Sequence, residues 1–372
     1  LGFNYLYGDY WGDKMEWFRN LPIVRKQMLM LMGVALLPIV ILGILSYSTA
    51  KKELSHSATE ALIAVRDLKT AAIERHFTQL RGQLTSMAQG QDVQEALVEL
   101  TQGFNSLNAE PPASLSKLAS YYQTQFSAEY QKRSQKTIDS QPILDRLSPA
   151  GQWLQNEYIA NNANPLGSKH LLDVGASANT YNRTHEQLHP KLRHELEAFG
   201  YYDIFIVDNA SGNVVYTVFK ELDFATNLTS GSWAKTALAK AFNTAKNLPQ
   251  GKTTLTDFAP YTPSYEAPAG FIATPIYIQG KALGTLIVQV PIEPINAIMQ
   301  ERSGMGATGE TYLVGPDYLM RSDSFLDPTH HTVAASFAAP ETGSAPTKPV
   351  KPPSVPESRL RLAFEDTVAA LG

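Results

Sequence analysis

The chain has 372 residues, of which 44% are hydrophobic and 18% are charged, a composition typical of a globular protein. A net charge of −4 provides no excess of basic residues for phosphate contacts, so nucleic-acid binding is not expected. The sequence has no cysteine, which excludes disulfides, thiolate metal sites and cysteine nucleophiles.

An uncharged apolar stretch over residues 28–45 predicts one membrane-spanning helix. At about 1.5 Å per residue it spans roughly 27 Å, close to the hydrocarbon core of a bilayer. The apolar run of a signal peptide is shorter, about 7–15 residues, so this segment is expected to remain as an anchor. Arg19, Arg25 and Lys26 precede it, and together with the large domain that follows they favour a cytoplasmic N-terminus.

Both ends of the sequence indicate a fragment. Leu1 is not an initiator, and translation is expected to begin at Met15. A short helical pattern over residues 364–371 stops at Gly372, before any second span.

A long amphipathic helix is predicted from residue 51 to about residue 91, because apolar positions recur there at spacings of three to five. The stripe is thin and rich in alanine, so it faces either an identical helix in a dimer or the domain of its own chain. Its members are Ala61, Val65, Leu68, Ala72, Phe77, Leu80, Leu84 and Met87. Further helices are predicted over residues 115–130 and 144–159, and residues 161–184 have the composition of a loop.

Strand patterns begin near Tyr201, where β-branched and aromatic residues become frequent. The expected order is a hairpin, a helix, an irregular covering loop and a second hairpin that turns at Gln279–Gly280. A half-open antiparallel sheet with the helix and the loop over one face follows from this order, and such an arrangement forms a pocket. The corresponding residues are 203–208 with 214–219, then 232–245, 256–268, and 271–278 with 282–290.

A third hairpin is predicted from residues 311–314 and 318–321, as the start of another unit of the same kind. In it, Arg321 and Asp323 either line a second site or form structural pairs at the mouth of the sheet. The proline-rich stretch over residues 340–356 is typical of a loop or linker.

Several strings resemble the extracytoplasmic double Cache sensor of bacterial methyl-accepting chemotaxis receptors and related transmembrane sensors. They are GYYDIFIVD (200–208), FIATPIY (271–277), GTLIVQVPIEPIN (284–296) and GETYLVGPDYLMRSDS (309–324). The resemblance implies an α+β fold, in which a membrane-anchored long helix precedes PAS-like (Cache) antiparallel sheet units, the second one truncated.

The resemblance also implies a domain order. It places a cytoplasmic segment at residues 1–27, a transmembrane helix at 28–47, a helical stalk and the helical part of the sensor at 48–195, a membrane-distal Cache unit at 196–303 and the start of a membrane-proximal unit at 304–372.

The function implied is that of a non-enzymatic periplasmic sensor in the bacterial inner membrane, the input half of a chemotaxis receptor. A homodimer, a small-molecule ligand and no cofactor are expected, with downstream signalling proteins reached through a part of the protein beyond Gly372. The same input would also suit a transmembrane histidine kinase or a nucleotide cyclase.

One motif favours an enzyme, because His185-Glu186-Gln187-Leu188-His189 matches the HExxH pattern of zinc proteases. Pro190 follows directly, and a residue before proline is disfavoured in the α conformation. The helix is therefore predicted to break at His189, and no third ligand is evident downstream. A solvated corner between a loop and a helix is expected, rather than a membrane-tethered metalloprotease.

The predicted ligand site lies in the first sheet unit, where aromatic and charged residues fall at strand ends, at the helix start and in the covering loop. Amino-acid-binding members of the family hold the ligand carboxylate with arginine and the ammonium with aspartate. This sequence has no arginine between Arg193 and Arg302, which argues against an amino acid, although Lys220 offers a point charge. The candidates are Tyr202, Tyr216, Lys220, Asp223, Trp233, Asp257, Tyr261 and Tyr265.

Overall fold

The computed structural model describes residues 20–109 and 115–338. The proposed start at Met15, the proline-rich stretch over 340–356 and the short helix over 364–371 lie outside these residues. The chain divides into two compact units, residues 1–68 and residues 69–372.

Helix α1 runs from Ile23 to Gln89, which confirms the prediction that the apolar segment continues into a long helix. Among the described residues it is the one helix long and apolar enough to cross a membrane. Its apolar side chains between Met28 and Leu45 are exposed, as contact with lipid requires. The first unit is therefore a candidate membrane anchor.

The end of α1 contributes to the core of the second unit, which divides the predicted apolar stripe. Phe77, Leu80 and Leu84 are buried there, whereas Leu68 is 71% exposed. N-terminal to Phe77, the buried positions follow at intervals of four residues, at Ile73 and Lys69. The sequence had predicted Ala72 and Leu68 on this face instead. The predicted stripe thus describes the buried face only from Phe77 onward.

The helical part of the second unit follows α1. Helices α2 and α7 pack closely, because Gly103 has no side chain to separate it from the backbone of Tyr181. The elements are α2 (Gln91–Leu107), α3 (Ser116–Ser120), a π-helical segment (Tyr121–Phe126), α4 (Ser127–Ser134), α5 (Gln141–Asp145), α6 (Pro149–Gln155), a second π-helical segment (Asn156–Ala160), a 3₁₀ turn (Lys169–Leu171) and α7 (Thr180–Phe199).

Helix α7 corrects the predicted break at His189. It begins at Thr180, where the Asn179 side chain accepts a hydrogen bond from the Asn182 amide at 2.8 Å. It then continues through Pro190 to Phe199. Pro190 and Glu186 both lie on the exposed side, so water can hydrate the Glu186 carbonyl that loses its helical donor.

The sheet has six antiparallel strands in the order β2-β1-β6-β5-β3, with β4 paired to β5. Both predicted hairpins are present, and Gln279 and Gly280 have the positive φ angles of a type I′ turn, 50° and 77°. The strands are β1 (Asp203–Asp208), β2 (Val214–Thr217), β3 (Thr254–Leu255), β4 (Ala259–Tyr261), β5 (Ala267–Ile278) and β6 (Lys281–Val290).

Both faces of this sheet are covered, where the sequence predicted a cover on one face. All residues of β1 are buried. Helix α2 contacts β1, β2 and β5, and helix α8 (Ala237–Ala245) contacts β3, β5 and β6. Helix α8 begins later than predicted because the Thr236 hydroxyl caps it at the Ala239 amide.

The third predicted hairpin is reduced to a single antiparallel bridge between Val314 and Met320. A tight turn replaces the strands, closed by the Gly315 amide, which donates to the Leu319 carbonyl at 2.9 Å. Helices α9 (Glu293–Gln300) and α10 (Val333–Ala338) flank this region, and α10 contacts β4 and β5. Residues 303–338 therefore lie against the first sheet unit and form no second sheet within the described part of the chain.

Candidate ligand-binding site

A cavity of about 210 Å³ lies between the helical part and the β2 side of the sheet. Of the eight predicted site residues, Tyr202, Lys220 and Tyr265 line it. The remaining lining residues are Tyr121, Phe126, Arg133, Leu166, Gly167, Lys169, Phe219, Glu221, Leu222 and Pro263.

Aromatic rings form much of the cavity wall. Tyr265 adopts a left-handed backbone conformation with φ of 60°, which ends the 3₁₀ turn Thr262–Ser264. Its ring centroid lies 5.6 Å from that of Phe126, and Tyr202 lies 5.2 Å from Phe219. These pairs offer flat apolar surfaces of the kind that enclose a small organic molecule.

Two cations from the helical part reach the cavity. The Arg133 guanidinium lies 4.7 Å from the Tyr265 ring centre, and its Nε donates to Glu129 at 2.6 Å. The described residues offer no partner to its two Nη groups, and the side chain is 52% exposed. Lys169 donates to the Asn162 carbonyl at 2.7 Å, and burial lowers its pKa.

Neither cation was among the predicted site residues, because both precede the sheet unit in which the site was predicted. A signal was nevertheless present. Arg133 follows Phe126 by seven residues, a spacing that places two residues on the same face of a helix.

Glu221 is the acidic residue of the cavity wall. Tyr202 donates its hydroxyl to one carboxylate oxygen at 3.0 Å, and Ser264 donates to the other at 2.7 Å. Burial, and then the charge of Asp223, raise the pKa of Glu221 well above its usual value. Glu221 was not among the predicted site residues, although Lys220 and Asp223 on either side of it were.

Three buried oxygen atoms adjoining Glu221 have no hydrogen-bond partner among the described residues: Oδ2 of Asp203, Oδ1 of Asp223 and Oε1 of Gln289. We call these three residues the acceptor cluster. Asp203 and Gln289 are paired across β1 and β6, and the Gln289 amide reaches Ser264, which in turn binds Glu221.

The two aspartates of the acceptor cluster are held by their other oxygens. Asp203 Oδ1 accepts the amides of Ile204, Val218 and Phe219 at 2.7–2.9 Å. Asp223 Oδ2 accepts the Tyr261 hydroxyl at 2.7 Å. Burial raises the pKa of Asp203, with a further contribution from the Asp223 charge, and burial raises the pKa of Asp223 to about 6.

Lys220 lies beside this cluster in a left-handed backbone conformation with φ of 63°. Its Nζ donates to the Thr217 carbonyl and lies 4.5 Å from the centre of the Tyr216 ring. Burial lowers the pKa of Lys220 to about 7, although Asp203 raises it.

The other predicted site residues do not line the cavity. Trp233 lies behind it, where its Nε1 donates to the Leu222 carbonyl at 3.1 Å, and Asp223 and Tyr261 bind each other. Tyr216 is buried against His189, and Asp257 is bound by Arg321.

The HExxH histidines are buried rather than at a solvated corner, so that prediction is wrong. His185 and His189 stack with ring centroids 4.5 Å apart, while Glu186 is exposed. His189 uses both nitrogens, Nδ1 with the Tyr216 hydroxyl and Nε2 with the His170 carbonyl, each at 2.7 Å. Burial lowers its pKa to about 2, so the ring is neutral, but no free lone pair remains to bind zinc.

Comparisons with known proteins found no matching protein-family model and no matching curated protein. Among solved structures, the chain is similar to the sensor domain of the V. cholerae histidine kinase DctB, at 14% identity and a TM-score of 0.26. The match covers 51% of this chain and 62% of the kinase domain, less than two thirds of its length.

Two chemoreceptor domains are similar as well. The ligand-binding domain of Campylobacter jejuni Tlp3 in complex with L-valine has 15% identity and a TM-score of 0.27, with 64% of this chain and 79% of that chain covered. The ligand-binding domain of the Pseudomonas aeruginosa PAO1 amino acid chemoreceptor PctC in complex with GABA has 15% identity and a TM-score of 0.26, with 60% and 84% covered. All three neighbours are sensor or ligand-binding domains.

Proposed function

We propose that the chain is the extracytoplasmic small-molecule sensor of a transmembrane receptor, most simply a methyl-accepting chemotaxis receptor. Helix α1 anchors it in the bacterial inner membrane, and the domain after α1 lies in the periplasm. The observation that carries this proposal is a cavity with cations on one wall and an acid on another, enclosed by aromatic rings. Binding rather than catalysis is the activity of such a site.

The charges of the cavity favour a small zwitterion. The Nη groups of Arg133 suit a carboxylate, since a guanidinium binds both carboxylate oxygens at once. A primary ammonium would donate to the carboxyl group of Glu221, which lines the cavity, and its charge would favour the ionised form of that group. The absence of arginine between Arg193 and Arg302 argued against an amino acid as ligand. Because Arg133 reaches the cavity from the helical part, that argument no longer holds, and we propose an amino acid as the ligand. L-valine and GABA, bound in two of the similar structures, belong to this chemical class.

Ligand binding would draw the sheet and the helical part together across the cavity, and α1 would carry the displacement to the membrane. The same input suits a histidine kinase or a nucleotide cyclase, and the site does not distinguish these outputs.

A ligand screen on the full chain in nanodiscs tests the proposal. Amino acids and simple amines, added one at a time, are expected to include one that raises the melting temperature, because a ligand of the folded state stabilises it by mass action. Arg133→Gln and Glu221→Gln should each remove most of this shift. Lys240→Gln, an exposed change on α8, is the control and should preserve it. A shift that survives both cavity variants contradicts the proposed site.

The topology has its own test. Alkaline phosphatase fused after Gly251 should be active, since the enzyme folds in the periplasm, and a reporter that fluoresces only in the cytosol should be dark there. The reverse pattern contradicts an extracytoplasmic sensor.

We further propose a parallel homodimer along the part of α1 that precedes Phe77. Cysteines placed one at a time at Ala61, Val65, Leu68 and Ala72 should form strong oxidative crosslinks in membranes, and cysteines at Ile63, Arg66 and Thr70 weak ones. Leu80 and Leu84 are buried in their own unit, so cysteines there are the controls and should not crosslink. A flat profile contradicts the dimer.

A further inference from the structure

The segment that closes one side of the cavity is bound at both ends. We define residues 256–266 as the cover loop. At its far end, Pro263 and Tyr265 line the cavity and Ser264 donates to Glu221. Tyr261 donates to Asp223 in the acceptor cluster. This end of the loop is therefore fixed by Glu221, which we propose binds the ligand, and by Asp223 two residues further along the chain.

At its near end, the cover loop is held by Arg321, which comes from beyond the sheet. Arg321 Nε donates to Asp257 Oδ1 at 2.8 Å and Nη2 donates to Oδ2 at 2.7 Å. The arginine is only 1% exposed, and it also donates to Asp317 at 2.9 Å and to the Leu319 carbonyl at 3.0 Å. A side chain at Gly315 would collide with the guanidinium, so the turn closes directly over it.

This geometry joins two elements that are distant in sequence. A two-bond fork fixes both the position and the angle of the Asp257 carboxylate, which a single-point ammonium would not do. Since Arg321 is enclosed by its own turn, the turn and the near end of the loop must move together. The cavity end of the loop lies only a few residues further along.

We propose that Arg321 is a positioning residue of the ligand site, which acts through Asp257 to set the cover loop and couples the cavity to residues 303–338. Coupling between two sites is reciprocal, so a change at either end of the cover loop alters the other. The contacts of Arg321 are sufficient to infer that the loop and the turn are coupled. The further inference that this coupling affects ligand binding rests on the proposed function.

A matched control separates this role from simple support of the segment. Arg302 lies in the same region, and it donates to the carbonyls of Gly306, Ala307 and Gly309 and covers the Phe325 ring at 4.6 Å. These contacts all lie within residues 303–338, and none of them reaches the cover loop. Arg302→Gln should loosen the segment but not the loop.

Hydrogen exchange measured by mass spectrometry on the full chain in nanodiscs, without ligand, tests the coupling. Arg321→Gln should raise exchange about tenfold at the amides of Phe258, Tyr265 and Glu266 in the cover loop. Arg321→Lys should give an intermediate rise, because it keeps the charge but loses the fork. The proposal is overturned if Arg321→Gln affects only residues 303–338, or if Arg302→Gln opens the loop equally.

Coupling from the cavity end of the cover loop to the Arg321 turn is tested with a conservative substitution, because such a variant is expected to fold. Tyr261→Phe removes the bond to Asp223 and keeps the ring, and it should raise exchange at the amides of Arg321 and Gly315. No change there overturns the proposal. Because both measurements are made without ligand, failure of the screen above contradicts the proposed function alone.

Discussion

Arg321 and the acceptor cluster are two buried polar regions that differ in how completely their hydrogen bonds are made. Each nitrogen of the Arg321 guanidinium donates to an oxygen, from Asp257, Asp317 or Leu319. In the acceptor cluster, three buried oxygens have no donor among the described residues. A charge whose hydrogen bonds are all made stabilises the fold, whereas a surplus of buried acceptors favours the protonation of the acids among them.

The difference also predicts opposite responses to the same chemical change. Replacing aspartate by asparagine exchanges one acceptor oxygen for a donor group and removes a negative charge. Beside Arg321 this breaks half of a fork, while in the acceptor cluster it supplies a missing donor. Three variants, in order of decreasing effect on the free energy of unfolding, test the comparison.

The largest effect is expected from Asp257→Asn, which should lower the free energy of unfolding by about 3 kcal/mol, because it leaves a buried arginine partly unpaired. Chemical denaturation of the full chain in detergent measures it. Asp92→Asn is the matched control, since Asp92 pairs with Lys191 at 3.8 Å on the surface, and it should cost less than about 1 kcal/mol. Equal losses in the two variants would remove the distinction.

Asp223→Asn should instead raise the free energy of unfolding, by about 2 kcal/mol near pH 8. Its oxygen still accepts from Tyr261, and its amide group replaces the oxygen that has no donor in the wild type. Since the folded-state pKa of Asp223 is raised from 3.8 to about 6, the folded protein binds this proton more tightly than the unfolded chain.

The wild type accordingly loses this contribution to stability as the pH rises from about 4 to above 6, and the variant does not. The gain should therefore shrink toward zero near pH 4, when denaturation is repeated across this pH range. A variant that is less stable than the wild type near pH 8 would show that the acceptor cluster is satisfied after all.

The smallest effect on stability is expected from Arg133→Gln, less than about 0.5 kcal/mol, because the side chain is half exposed and its ion pair with Glu129 is screened. Its effect on ligand binding should be large, about tenfold or more, as a charge-assisted bond to a carboxylate is lost. Titration of the stabilising ligand into both proteins separates the two quantities. A variant that unfolds readily would make Arg133 structural, like Arg321.

Local patterns in the sequence were sufficient to predict much of the fold. The limits of β1, the Gln279–Gly280 turn and the continuation of the apolar segment into a long helix depend on neighbouring residues, and the structure confirms them. The prediction of a third hairpin was wrong, because the packing of Arg321 inside its turn overrides the strand propensity of residues 311–321.

The candidate site was predicted only in part, because its charges come from elements far apart in the chain. Tyr202, Lys220 and Tyr265 line the cavity as expected, but Arg133 and Lys169 arrive from helices that precede the sheet. Nothing in the spacing of Asp257 indicated a partner 64 residues later. Likewise, helix α7 can continue through Pro190 because that side of the helix is exposed. Which side is exposed is decided by the packing of the whole domain, so it could not be predicted from the local sequence.

The π-helical segment Tyr121–Phe126 holds one residue more per turn than an α-helix would, and Tyr121 and Phe126 at its two ends line the cavity. Residues five apart lie about 140° apart around a regular α-helix, so the wider turn is what brings these two rings to the same side of the helix. A single inserted residue is enough to create such a turn, and an aromatic pair on the cavity wall can therefore arise by one codon insertion with no change to the sheet.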